Sequence, residues 1–164
     1  MKILGIDPGH KGALCMIDTD RKELRVAPMP IIVEQRSEKN KTFVDGRRLH
    51  HILTEWDPAL ACIEDVFSMP HDGVVSAFSF GEGKGVLKGV LAAMEIDPFF
   101  VSPNRWKNDL KTSSNKDHSK ALARTLLPHC KKLLSSEGKC EAALITLWYC
   151  LHLNILPNEI KPRT

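Results

Sequence analysis

Residues 1–18 read MKILGIDPGHKGALCMID, and the start of the fold is decided there. Lys2–Ile6 is a short apolar run cut by Asp7-Pro8-Gly9. Proline fixes φ and lacks an N–H, and glycine admits backbone conformations closed to other residues, so the chain turns at that point. Gly12–Ile17 (GALCMI) then resumes as a second apolar run. Two such runs joined by a tight connection read as neighbouring strands. Glu23–Ala27 (ELRVA) alternates polar and apolar residues, the pattern of a third, edge-like strand. The chain therefore opens as an antiparallel meander.

Downstream the pattern changes. Residues 34–42 (EQRSEKNKT) are polar without a period and read as a loop. Asp45–Trp56 carries Leu49, Ile52, Leu53 and Trp56 at helical spacing and is stopped by Asp57-Pro58. Leu60–Ile63 is a fully apolar run, as a buried central strand is, and it ends in Glu64-Asp65. Val74–Met94 reads as a long helix with glycines at 81, 83, 85 and 89. Phe99–Val101 makes one more strand, and Ser102-Pro103 caps a short helix through Trp106. After a polar loop at 111–116, Asp117–Leu127 is helical, and Ser135 or Ser136 opens a last helix to about Leu156. The order is a meander followed by βα units. It predicts a mixed five-stranded α/β sheet with helices on both faces, the order of the ribonuclease H-like fold, in one domain over 1–156 with a polar tail over 157–164.

The 164 residues suit one domain, and 43% hydrophobic with 26% charged residues is a globular composition. Lys plus Arg exceed Asp plus Glu by 23 − 20 = 3, which permits a nucleic-acid partner without demanding one. No apolar run reaches the ~18–20 residues that span a bilayer. The N-terminal run is cut too early for a signal peptide. Five cysteines, an odd number with no CxxC, read as buried thiols of a cytoplasmic protein.

Chemistry points to the acids. Asp7 stands where an apolar strand meets a turn, with glycines at 5, 9 and 12 leaving room around it. An Asp stabilising its own turn is the competing reading. Glu64 ends the apolar strand expected beside the first, and carboxylates at neighbouring strand ends are costly to bury without a counter-ion. Glu137 and Glu141 sit at i and i+4, on one face of the last helix, where like charges repel. The helix dipole accounts for Glu137 but less readily for Glu141, which precedes an apolar run. Several carboxylates without a His/Cys cluster suit a hard cation, Mg2+ or Mn2+. Two such ions about 4 Å apart can clamp the attacking water and leaving oxygen of a phosphodiester. Among the flanking lysines 107, 111, 116 and 120, a Lys near the scissile phosphate can stabilise its developing charge. Lys111 and Lys120 read more simply as surface lysines. GEGKG at 81–85 lacks the spacing and the Ser/Thr of a phosphate loop.

GIDPG at 5–9, IEDVF at 63–67, the helix SAFSFGEGKGVLKGVLAA at 76–93, Trp106-Lys107 and EGKCEAALI at 137–145 together resemble, in order, the RuvC-type Holliday junction resolvases, with the phage-like branch most similar. The resemblance implies a homodimeric, Mg2+-dependent endonuclease that nicks branched DNA, four-way junctions above all and three-way branches as a further possibility, leaving 5′-phosphate ends. It implies Asp7, Glu64, Glu141 and Glu137 as metal ligands and Lys107 and Lys116 as catalytic-face lysines. It also implies that Phe67 stacks on bases, although a core Phe at a strand end fits that position too. Lys111 and Lys120 join the candidate DNA contacts. The dimer helix maps to 74–94, with Phe78, Val86 and Val90 as its apolar residues. Bacterial members end in Asp-x-x-Asp, whereas this chain has Glu-x-x-x-Glu with Gly138 at the three-residue spacing. The setting implied is the cytoplasm of a bacterial or phage-infected cell. Two rival classes remain at this point: an actin-like or sugar-kinase-type ATPase, suggested by the DPGHKG turn, and a non-catalytic branched-DNA binding protein.

Overall fold

The expected meander is present as β1 (Lys2–Asp7), β2 (Ala13–Asp18) and β3 (Glu23–Pro28), paired antiparallel in sequence order. The computed structural model of the chain describes residues 1–35, 40–67, 73–113, 115–155 and 159–163, with Lys116 described by its backbone alone. On the other side of β1 lies β6 (Leu60–Glu64), then β7 (Pro98–Val101), both parallel to their neighbours. Between β3 and β6 come the strands β4 (Ile31–Glu34) and β5 (Lys41–Val44) and the helix α1 (Gly46–Trp56). Helix α2 (Val74–Ala93) joins β6 to β7. Then follow α3 (Pro103–Asp109), α4 (Lys116–Leu126) and α5 (Glu137–His152), and the two-residue strand β8 (Lys161–Pro162). No helix among the described residues is long and apolar enough to cross a membrane.

The sheet has six strands where five are expected, in the order β7-β6-β1-β2-β3-β8. The sixth is β8, parallel to β3 with Glu23 opposite Lys161. Thus residues 159–163, read from sequence as polar tail, return to the sheet edge, anchored by buried Ile160. The stretch 34–42, expected as a loop, carries the ends of a separate antiparallel pair, β4 with β5. Every residue of β4 is exposed, so no burial pattern marks it in the sequence.

Period-2 alternation sorts β1 between two cores. Ile3 packs with α5, whereas Leu4 and Ile6 pack with α1 and α2 residues such as Leu49, Leu53, Leu87 and Leu91. β6 is sorted the same way, Cys62 toward α5 and Ala61 and Ile63 toward α1 and α2. Helices therefore cover both faces, as expected. Some helix details differ. Helix α5 stops at His152, not near Leu156, which lies outside the described residues. Ser136 caps it, accepting from the Lys139 N–H. Helix α4 starts at Lys116, one residue before the expected Asp117, and is capped by Asn115, which accepts from the Asp117 N–H.

Candidate active site

Asp7 continues the β1 face that carries Ile3 and Gly5, and Glu64 continues the β6 face that carries Cys62. Gly5 pairs with Cys62 and Ile6 with Ile63, so Asp7 and Glu64 stand on adjacent strands, on the α5 side, at one end of the sheet. Adjacent strands lie about 4.8 Å apart, which puts the two carboxylates within reach of each other.

Helix α5 brings the other acids by lying unusually close. A Cβ at Gly5 would collide with Thr146, whose hydroxyl donates to Ala142 O at 2.7 Å and Cys15 O at 3.1 Å. At the α5 N-terminus a Cβ at Gly138 would collide with the Lys11 backbone oxygen and lie 2.8 Å from Gly12 Cα. Helix and β1–β2 turn thus touch through backbone. No side chain fits at 138, the position where Asp-x-x-Asp spacing would put an acid, and the acid stands one residue earlier as Glu137. The glycines of the turn serve backbone geometry more than open space: Gly9 has φ +139, and a Cβ at Gly12 would meet the Asp7 carbonyl.

The electrostatics record the convergence. The Asp7 carboxyl is held well above its usual range, first by burial and then by the charges of Glu64, Glu141 and Glu137. Burial also raises Glu64, which is 5% exposed, with Glu141 adding to it. Trp106 opposes that rise, its buried indole Nε1 donating to Glu64 Oε1 at 2.8 Å. Lys107 acts on both Asp7 and Glu64 as a favourable positive charge, and its Nζ lies 3.1 Å from Glu141 Oε1. Ser119 Oγ donates to the same oxygen at 3.3 Å. The short helix α3 therefore places two consecutive side chains on two different acids. It is itself held to α5 by the Trp148 Nε1 bond to Asp109 Oδ2, 2.8 Å.

Asp7, Glu137 and Glu141 line a cleft of about 740 Å3 with the β1–β2 turn and Ser136. The donor set is all carboxylate oxygen, and like charges partly buried together call for a cation, so the residues fit a hard divalent ion. Among the described residues, no three His, Cys, Asp or Glu side chains already stand in ion-holding geometry. The Trp106 hydrogen bond draws Glu64 one way, and the Lys107 ion pair draws Glu141 another.

The remaining candidates divide. Phe67 is 68% exposed, outside the core, with Lys84 Nζ 4.6 Å from its ring centroid. The same ammonium binds Asp65 Oδ1 at 2.5 Å and Val66 O at 3.3 Å, stapling the segment after Glu64 to α2. Lys111 is exposed, and Lys120 pairs with Asp117 at 4.0 Å on the surface of α4. Lys116 is the first residue of α4, and its side chain lies outside the described atoms. GEGKG lies inside α2 and is no phosphate loop. Val86 and Val90 do not face outward as expected: they pack on the α1 side, 3.1 and 3.8 Å from where a Cβ of Gly46 would be. Sequence reasoning missed Trp106 as the donor to Glu64. The signal was a Trp ending a short capped helix, since a buried indole N–H needs an acceptor.

The family model described as crossover junction endodeoxyribonuclease RuvC matches residues 3–142, a span that includes Asp7, Glu64, Glu137 and Glu141. A crossover junction endodeoxyribonuclease RuvC from Prochlorococcus marinus (strain MIT 9312) is 26% identical over 110 residues, 65% of this chain and 68% of that protein. T. thermophilus RuvC, solved in complex with Holliday junction substrate, has a TM-score of 0.67 at 15% identity, covering 94% of this chain and 96% of that one. The yeast mitochondrial Holliday junction resolvase gives 0.59 at 14% identity, covering 90% and 76%. With the strand order, the paired strand-end acids and a family match over most of its length, the chain belongs to the RuvC family of crossover junction endodeoxyribonucleases, structure-selective nucleases that depend on a divalent metal.

Proposed function

We propose that this chain nicks four-way DNA junctions symmetrically as a homodimer, using two Mg2+ ions per site for which Mn2+ substitutes, and leaves 5′-phosphate ends. The observation that carries the reading is the meeting of Asp7, Glu64, Glu137 and Glu141, from three separate elements, at one end of the sheet. These four would hold the metal. Bound there, the ions supply an activated water and take up charge on the leaving oxygen. The chain's own groups do the rest. Trp106 fixes the Glu64 carboxylate and Ser119 that of Glu141. Lys107 and Lys116 present positive charge to the scissile phosphate, and Lys111 and Lys120 hold the DNA backbone. Phe67, exposed and three residues after Glu64, stacks on a base.

The dimer reading rests on α2. Val74, Val75 and Phe78 are 85%, 80% and 66% exposed. Cβ atoms at Gly81, Gly85 and Gly89, four residues apart, would meet nothing within 4 Å. Two copies related by a two-fold axis would give two nicks matching the near-two-fold junction. The setting proposed is the interior of a bacterial or phage-infected cell.

Cleavage of synthetic four-way junctions, three-way branches and plain duplex, with Mg2+ or with EDTA, tests this. Paired, metal-dependent nicks in the junction that a ligase reseals are expected. Binding without cleavage in either Mg2+ or Mn2+ overturns it in favour of a non-catalytic junction binder. ATP hydrolysis without cleavage overturns it in favour of an actin-like ATPase.

A further inference from the structure

We infer that Lys107 is the acid cluster's resident counter-ion, which an incoming divalent cation must displace from Glu141, so that metal entry itself frees the ammonium toward the substrate. This rests on the metal-dependent reading above and adds an order of events to it.

The geometry is specific to Lys107. Its ammonium lies 3.1 Å from Glu141 Oε1, with the two side chains only 17% and 13% exposed. It also sits 5.0 Å from the ring centroid of its neighbour Trp106, whose N–H is committed to Glu64. One dipeptide thus answers two acids, with a neutral donor on one and a cation on the other. Exposed pairs of this kind contribute little, but burial removes the competing water, and the nearby charges of Asp7 and Glu64 deepen the attraction. Four other lysines pair with acids outside this cluster: Lys2 with Asp57, Lys41 with Glu82, Lys84 with Asp65 and Lys120 with Asp117.

A divalent ion brings twice the charge and asks for the carboxylate oxygens directly. Glu141 Oε1 already accepts from both Lys107 and Ser119, so a metal that binds this oxygen takes the ammonium's place, and the ammonium is the competitor that sets how tightly the metal is held. Ser119 donates to that same oxygen and keeps Glu141 oriented when Lys107 leaves. The displaced lysine stays tethered to α3 at the rim of the site, where a phosphate bridging toward the metal is its nearest replacement anion. A site without metal therefore also lacks a free Lys107, and the two requirements for charge stabilisation are met together.

Two measurements on the full chain test this without reading cleavage. Lysine acylation by a succinimidyl ester, mapped by mass spectrometry in EDTA and in Mg2+, follows the ammonium. Loss of one partly buried ion pair of about 1 kcal/mol should raise Lys107 acylation by roughly 5-fold on adding Mg2+, with Lys111 and Lys120 unchanged. Manganese binding followed by electron paramagnetic resonance gives the competition. Lys107→Met should bind Mn2+ at least ~5-fold tighter than the parent, and Lys2→Met, which removes the same charge at the far end of β1 where Lys2 pairs with Asp57, under ~2-fold. Metal binding that leaves Lys107 protected, or equal tightening by both variants, overturns the inference and leaves the nuclease reading standing. Failure to bind any divalent ion overturns both. Should Lys107→Met fail to fold, the acylation result on the unaltered chain decides alone.

Discussion

Helices α5 and α2 look alike in sequence and fare differently in the fold. Both are apolar around most of their circumference. In α5, every residue from Ala142 to Cys150 is buried, between the sheet on one side and α3 and α4 on the other. A helix apolar all round belongs in an interior, and α5 is in one. In α2, twenty residues long, the buried residues are Gly83, Leu87 and Leu91, a narrow stripe facing α1 and β5. Val86 and Val90 pack partly buried beside that stripe, and Val74, Val75 and Phe78 meet water. The same composition thus reports a completed core in one helix and unmatched surface in the other. The chemistry follows the completed side: α5 supplies two acids to the cleft, and α2 supplies only the Lys84 staple behind Phe67.

The comparison can be broken most severely at the acids beside α5. Asp7→Asn removes a shared metal ligand with little change of shape, so junction cleavage should fall at least ~10²-fold while junction binding persists. Cleavage within a few-fold of the parent, measured under single-turnover conditions, would remove Asp7 from the site. Next comes the close approach of α5. Gly138→Asp restores the bacterial spacing on paper, but its Cβ has no room against Lys11 and Gly12. It should cost about 3 kcal/mol or more in urea unfolding, the upper end of overpacking, and should not restore or improve cleavage. On α2 the expectation reverses. Phe78→Asp should leave unfolding of the monomer within about 0.5 kcal/mol of the parent, as exposed substitutions do. In analytical ultracentrifugation the same change should weaken self-association at least ~10-fold, the loss of a buried aromatic anchor. An unchanged sedimentation profile would show that this surface meets something other than a second copy.

The smallest effect sharpens the electrostatic side. Asp7 and Glu64 are raised in the fold, so with metal removed the folded chain holds more protons than the unfolded chain between the ordinary carboxylate range and the raised values. Their contribution is full at low pH and is lost as pH rises through that window. Asp7→Asn escapes part of the loss. In EDTA its melting temperature relative to the parent should therefore climb as the pH rises above the ordinary carboxylate range of about 4. A constant difference would mean that neither burial nor the neighbouring acids raise the Asp7 carboxyl in the fold.

How much of this was legible in the sequence depended on whether a residue's neighbours were local. Asp7 and Glu64 were readable because each ends an apolar strand, and strand parity then fixes which way the side chain points. Glu141 was readable from an acid set just before an apolar helical run. The β4–β5 pair was not, because Ile31, Ile32 and Val33 are all exposed and impose no alternation. Strand β8 is two residues long, and only Ile160 beside it is buried. The outward face of α2 is not readable at Val86 and Val90, which pack toward α1, since an all-apolar helix gives no stripe to orient it. Trp106 on Glu64, and Gly138 against Lys11, pair residues far apart in the chain, and no spacing rule reaches them.

All five cysteines are buried, and burial pushes the Cys62 and Cys150 thiols up to about 12 and Cys15 higher still. Thiol reagents react with the thiolate, so the folded chain is close to a blank background for maleimide chemistry near neutral pH. A spin label or fluorophore can therefore be attached at one introduced position, Val74→Cys for instance, with the native cysteines left in place. A distance measured between two such labels, one per copy, would report the pairing of α2 directly in solution and follow it as junction DNA is added.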